Sequence, residues 1–129
     1  MDNALRMELD FASQKRPGRL AFGVFQGNRP QGTGYRLIYS DGAQPALSLI
    51  RLISENAEIV GRHDGRLDLE DGQFHNIVWS RDRNGQMQVR LDGQRLLNAQ
   101  DNSLRDPFQG FVMANHSGDY TLRQIRLED

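Results

Sequence analysis

The residues that could do chemistry are few and scattered. Glu8 and Asp10 alternate within MELDF (7–11), so on a strand their carboxylates share one face. A retaining glycosidase needs two carboxyl groups about 5 Å apart, one of them with a raised pKa. No third carboxylate follows this pair, and Asp64, Asp68, Glu70 and Asp71 sit in or beside turns, where solvated acids belong. His63, His75 and His116 are far apart in the chain, so a metal site would need the fold to join them. No G-x-S-x-G, H-E-x-x-H or phosphate-cradling loop occurs. The absence of cysteine removes disulfides, thiolate zinc sites and cysteine nucleophiles together. Catalysis is not expected.

Composition narrows the classes further. A chain of 129 residues with 37% hydrophobic and 26% charged residues suits one globular domain, expected to span 1–129. No apolar run approaches the roughly 18 residues of a bilayer-spanning helix, so membrane insertion is not expected. Net charge is −1, from 16 basic and 17 acidic residues spread along the chain, which argues against nucleic acid as a partner. All the basic residues but Lys15 are arginine, a compositional bias, since they do not cluster. The opening MDNALRMELDFA shows no signal-peptide pattern and runs almost directly into a strand-like segment. A domain cut from a longer protein would begin in that way.

The elements that must position any site are strands. About eleven short alternating runs occur, at 7–11, 20–25, 35–40, 47–54, 57–61, 66–69, 75–80, 87–91, 94–97, 110–115 and 120–127. Asp-Gly at 41–42, 64–65, 71–72 and 92–93, Asn-Gly at 84–85 and Ser-Gly at 117–118 punctuate them as tight turns. The four prolines fall between runs. A helical turn near 98–106 is the one departure considered. All-β, as an antiparallel β-sandwich or barrel, is the expectation. Phase predicts a core of Leu9, Phe11, Leu20, Phe22, Leu37, Ile77, Trp79, Val89, Leu91, Val112, Leu122 and Ile125. His75 shares the inward phase, which makes it a hydrogen-bonded structural residue. In LSLIRLIS (47–54) apolar residues occupy both faces, as expected of a strand covered on both sides or contributing to an interface.

The stretch DGQFHNIVWSRDRNGQMQVRLDGQRLL (71–97) resembles the central hairpin of concanavalin A-like lectin/glucanase domains, particularly the laminin-G-like jelly rolls. Gly72-Gln73-Phe74-His75-Asn76-Ile77 stands where those carry G-x-W-H-x-V, with Phe74 in place of the usual indole, and Val89-Arg90-Leu91-Asp92-Gly93 closes the next strand. FQGFVMANHSGDYTLRQIRLED (108–129) is similar to the closing strand pair, so the likeness runs from about residue 5 to the end. It implies a jelly-roll sandwich, here in compact form.

For function the resemblance implies recognition of carbohydrate or of protein, within a larger exported protein, extracellular or periplasmic. The acidic E-x-D-x-x-E signature of the family's glucanases has no match. Glycan sites of such domains set an aromatic platform among amide, carboxylate and arginine groups. Tyr39 beside a turn is the expected exposed aromatic, Trp79 being core by phase. Asn76, Ser80, Gln88 and Arg90 are expected on one outward face of the hairpin, and Asn115, His116 and Asp119 on a loop. Some laminin-G-like domains hold calcium, and DGRLDLED (64–71) and NHSGD (115–119) offer oxygens, but neither has a diagnostic spacing. No cofactor is expected. A structural or protein-interaction domain, or a homo-oligomer formed through an apolar sheet face, is the competing expectation.

Overall fold

The computed structural model describes residues 3–13, 18–40, 44–116 and 119–128. The turns at Asp41-Gly42 and Ser117-Gly118 lie outside them. Two antiparallel five-stranded sheets face one another. One, with order β10-β1-β6-β7-β8, contains β1 (Leu5–Ser13), β6 (Phe74–Arg81), β7 (Gln86–Leu91), β8 (Gln94–Gln100) and β10 (Tyr120–Glu128). The other, with order β5-β4-β3-β2-β9, contains β2 (Arg19–Phe25), β3 (Gly34–Ser40), β4 (Leu47–Ile53), β5 (Asn56–His63) and β9 (Gly110–His116). We call them the first and second sheet. β5 packs against β8 on one side of the sandwich, while β10 and β9 are the edge strands at the other.

Alternation builds the core. Met7, Leu9 and Phe11 on β1, Ile77 and Trp79 on β6 and Met87, Val89 and Leu91 on β7 meet Leu20, Phe22 and Val24 on β2 and Tyr35, Leu37 and Tyr39 on β3. Trp79 is fully buried, edge-on to Phe22 with ring centroids 6.4 Å apart. Such edge-to-face pairs add to area burial.

Ten strands stand where about eleven runs were read, because RLDL (66–69) pairs with no neighbour and belongs to the irregular crossing from β5 to β6. Its Leu69 is buried as a plug, which is why it alternates like a strand. No helical turn forms at 98–106: β8 runs to Gln100 and an irregular segment follows.

Three expected core residues are not buried. Leu122 and Ile125 are 39% and 47% exposed, although they pair with the inward Phe11 and Leu9. β10 is an edge strand, so facing inward there does not bring cover. Val112 is half-buried for another reason: it pairs with Gly23 and faces out of the second sheet, while its neighbours Phe111 and Met113 pack on the core. Gly23 itself is required, since a Cβ there would lie 1.9 Å from the Tyr35 carbonyl oxygen.

The hairpins show how turn residues set register. Asp92 and Gly93 both take positive φ, 50° and 83°, and join Leu91 to Gln94 in the tightest loop. At 82–85 only Gly85 does, at 81°, while the Asp82 carboxylate accepts from the backbone N–H groups of Asn84 and Gln86. Ser54 and Glu55 also adopt positive φ, 48° and 72°, without being glycine or asparagine. That cost falls on the β4–β5 hairpin.

Candidate functional site

The outward residues of β1, β6 and β10 form a dense polar cluster on the first sheet. On β1 these are Arg6, Glu8 and Asp10; on β6, Phe74 and Asn76. The Asn76 side-chain amide donates to Glu8 Oε2 at 2.8 Å and to Asp10 Oδ1 at 2.6 Å, so both of its protons are committed to carboxylates. Arg6 donates to Glu8 Oε1 at 3.2 Å, and Arg126 of β10 stands 4.0 Å from the same oxygen. Arg123 reaches Asp10 Oδ2 at 3.4 Å and lies over the Phe74 ring, 4.2 Å from its centroid. Phe74 remains 38% exposed.

A bulge makes this arrangement. β10 carries an extra residue opposite the Asp10/Phe11 step, where Asp10 pairs with Gln124 and Phe11 with Leu122. Arg123 is the residue left over, and it turns onto the polar face. Strict alternation along 120–127 does not reveal that, and Phe74 was read only as a substitute for a family indole. Both belong to the site and neither was among the residues expected there.

Electrostatics favour the ionised form of Glu8. The hydrogen bond from Asn76 lowers the Glu8 pKa against the opposing effect of burial, helped by the Arg6 and Arg126 charges. A general acid for glycoside cleavage needs the reverse, a carboxyl group with a raised pKa. The cluster therefore presents hydrogen-bond acceptors flanked by guanidinium donors and one exposed aromatic edge.

The structure separates the residues expected to bind ligand. Asn76, Gln88 and Arg90 do lie on one outward face, that of the first sheet, with Ser80 paired to Gln88. Arg90 is exposed and donates to the Gly93 carbonyl at 3.3 Å. Asn115, His116 and Asp119 are exposed at the end of β9 and beyond it, beside the second sheet. Tyr39 corrects the expectation of an exposed platform: it is fully buried and its hydroxyl hydrogen-bonds Glu70. Its place on an interior strand, in phase with Leu37, outweighs its position beside a turn.

His75 is structural, as its phase implied. Its ring packs 6.3 Å from Phe11, with Nδ1 2.7 Å from Asp92 and Nε2 3.0 Å from Asp71. Burial disfavours the imidazolium, and the two carboxylates outweigh it, so the His75 pKa is raised. Among the described residues no group of three or more His, Asp or Glu side chains is placed to hold a metal ion.

At the end of the sandwich near the β6–β7 turn, a buried network ties the sheets together. Tyr35 donates to Asp101 Oδ1 at 2.5 Å, Arg51 pairs with the same carboxylate, and Arg81, 2% exposed, donates to the Asp101 carbonyl at 2.8 Å. Burial and the bond to Asp101 push the Tyr35 phenol up to about 12.

No protein-family model matches the chain, and no curated protein sequence matches it. Solved structures do match in fold. A carbohydrate-binding module, CBM66, from Bacillus subtilis superposes with a TM-score of 0.76 at 12% identity, covering 98% of this chain and 75% of that one. Sheep galectin-11, in complex with glycerol, gives 0.70 at 14% identity over 98% and 91% of the two chains. Ligand-free congerin I gives 0.65 at 19% identity over 96% and 90%. The architecture is thus the β-sandwich of lectin-like jelly rolls.

Proposed function

We propose that this chain is a non-catalytic carbohydrate-recognition module, of the concanavalin A-like, laminin-G-like kind, working within a larger exported protein. The observation that carries the reading is the polar face of the first sheet. There Phe74 stands beside a fixed row of Asp10, Asn76 and Glu8, with Arg123 and Arg126 at its margin. A sugar ring has an apolar face and a fringe of hydroxyls, and this row supplies a partner for each. Carboxylates accept from hydroxyls and guanidinium groups donate to them. Gln88 and Arg90 extend the face along β7. The fold shared with a carbohydrate-binding module and with galectins supports the reading. Binding is taken to need no metal ion.

The test is isothermal titration against neutral polysaccharides and oligosaccharides, with and without a chelator. Saturable binding unaffected by EDTA, and lost in Phe74→Ala and in Arg123→Ala, is the expected result. A panel that shows no binding would remove the lectin reading.

A second reading has its own observation. The outer face of the second sheet carries half-buried Ile50, Leu52, Val112 and Ala114 and Ile59, 55% exposed, beside Arg36, Ser48 and Arg62. An apolar sheet face of this kind fits a protein partner or a second copy of the chain. Sedimentation showing association that Ile59→Arg abolishes would favour it.

A further inference from the structure

Phe74 and Asn76 point out of the first sheet, and His75 between them points in. Its side chain is 13% exposed, and both ring nitrogens meet carboxylates. Nδ1 lies 2.7 Å from Asp92 Oδ2, in the β7–β8 turn. Nε2 lies 3.0 and 3.2 Å from the two oxygens of Asp71, in the crossing from β5. A neutral imidazole has one N–H and one lone pair, so only the imidazolium donates to both. The arrangement is complete with a proton on each nitrogen.

Among the described residues, Asp71 and Asp92 are the charged groups that meet the ring. Phe11 faces it from β1, with Tyr39 and Tyr120 packed on Phe11 and Glu70 on the Tyr39 hydroxyl. Arg90, beside the turn, donates to the Gly93 carbonyl.

The two carboxylates reach the polar face by different routes. Asp92 Oδ1 accepts from the Asn76 backbone N–H at 2.8 Å, and the Asp92 N–H donates to the Asn76 carbonyl, also at 2.8 Å. Asp71 Oδ1 accepts from the Gln73 N–H at 2.9 Å, and Gln73 leads directly into Phe74. Gly72, between Asp71 and Gln73, donates to the Ser13 carbonyl over a longer 3.3 Å.

Loss of one proton leaves a lone pair facing a carboxylate. Asp92 makes the shorter contact and is fixed to β6 by two bonds to the Asn76 backbone, so Nδ1 keeps its hydrogen. The Nε2 lone pair then repels Asp71, whose side chain is 41% exposed and can turn to water.

We propose that His75 is a positioning residue for the polar face, a latch whose imidazolium secures the Asp71–Gln73 turn and thereby Phe74. Without the second proton the turn is released, Phe74 loses its support from that side, and glycan affinity falls. The effect on affinity rests on the carbohydrate reading of the face, and the latch itself does not. Burial opposes the imidazolium and the two carboxylates outweigh it, so release falls above the ordinary imidazole value of 6.5.

Nitrogen NMR of the imidazole and amide hydrogen exchange of the free chain, from pH 5 to 9, test the latch without ligand. As His75 titrates, Nε2 should lose its proton. Gln73 protection, corrected for the intrinsic pH dependence of exchange, should fall at least about tenfold. Asn76 protection, which depends on Asp92, should hold. Unchanged Gln73 protection through the titration, or loss at Asn76 instead, would overturn the proposal. Neutral polysaccharides carry no titratable group, so titrating them at pH 6 and at pH 9 reads the face itself. Affinity should fall about fivefold, ~1 kcal/mol, between the two. His75→Gln should remove that dependence, and Asp71→Asn should bind at pH 6 as weakly as the parent chain does at pH 9. Equal affinity at both pH values, or a dependence that persists in His75→Gln, would overturn the link to the face. No binding at either pH removes the carbohydrate reading, and the exchange at Gln73 still decides the latch.

Discussion

The two sheets turn opposite chemistry outward from a shared core. The first sheet presents Arg6, Glu8, Asp10, Asn76, Arg123 and Arg126, interlocked by hydrogen bonds and ion pairs. The second presents a mostly apolar strip of Ile50, Leu52, Ile59, Val112 and Ala114, with Arg36, Ser48 and Arg62 on the same face. A face whose side chains already hold one another is preorganised for a polar ligand, because little further ordering is lost on binding. An apolar face gains from whatever removes it from water. On the proposed reading, recognition of hydroxyl-rich molecules belongs to one sheet and association to the other.

That contrast can be broken or sharpened. Both faces depend on the core between them, so Trp79→Ala should cost about 3–5 kcal/mol in chemical denaturation and weaken both. Phe74→Ala should lower glycan affinity tenfold or more, about 1.4 kcal/mol, with little change in melting temperature. Ile50→Ser on the opposite sheet should leave glycan affinity unchanged. Equal loss in both variants would erase the distinction between the faces.

Smaller effects locate the supports. The folded chain holds the His75 proton more tightly than the unfolded chain, whose value lies near 6.5. This clamp therefore stabilises fully below about pH 6.5, and its contribution is lost as pH rises through the higher folded value. Asp71 is shifted down by the Gln73 N–H and His75, so its contribution is present above the ordinary carboxyl range and lost as pH falls through the lowered value. Thermal melts from pH 5 to 9 should show stability declining on the alkaline side of His75 titration, and His75→Gln should flatten that decline. The least of these is Glu55→Gly. Relieving positive φ in the β4–β5 hairpin should raise stability by about 0.5–1 kcal/mol by urea denaturation, acting on the apolar side alone.

Much of the fold was legible in the chain. Period-2 alternation identified nine of the twelve expected core residues, from Leu9 through Leu91, and placed Asn76, Gln88 and Arg90 on a common face. Asp92-Gly93 announced its turn, whereas Ser54-Glu55 did not, because neither residue favours the left-handed conformation it takes. Tyr39 went astray because nearness to a turn says nothing about which strand lies beside it. Arg123 was invisible because a bulge changes phase without changing composition.

The sequence by itself determined the class of the molecule: strands, their inward residues and their turns follow from local periodicity and backbone sterics. Which strand lies at an edge and which outward residues become neighbours depend on pairings between positions far apart in the chain. Leu122 and Ile125 stay exposed, Asn76 joins Glu8 to Asp10, and Asn3 braces Leu104 for this reason. Such pairings are selected by the free energy of the whole packed sandwich. No window of sequence contains that sum.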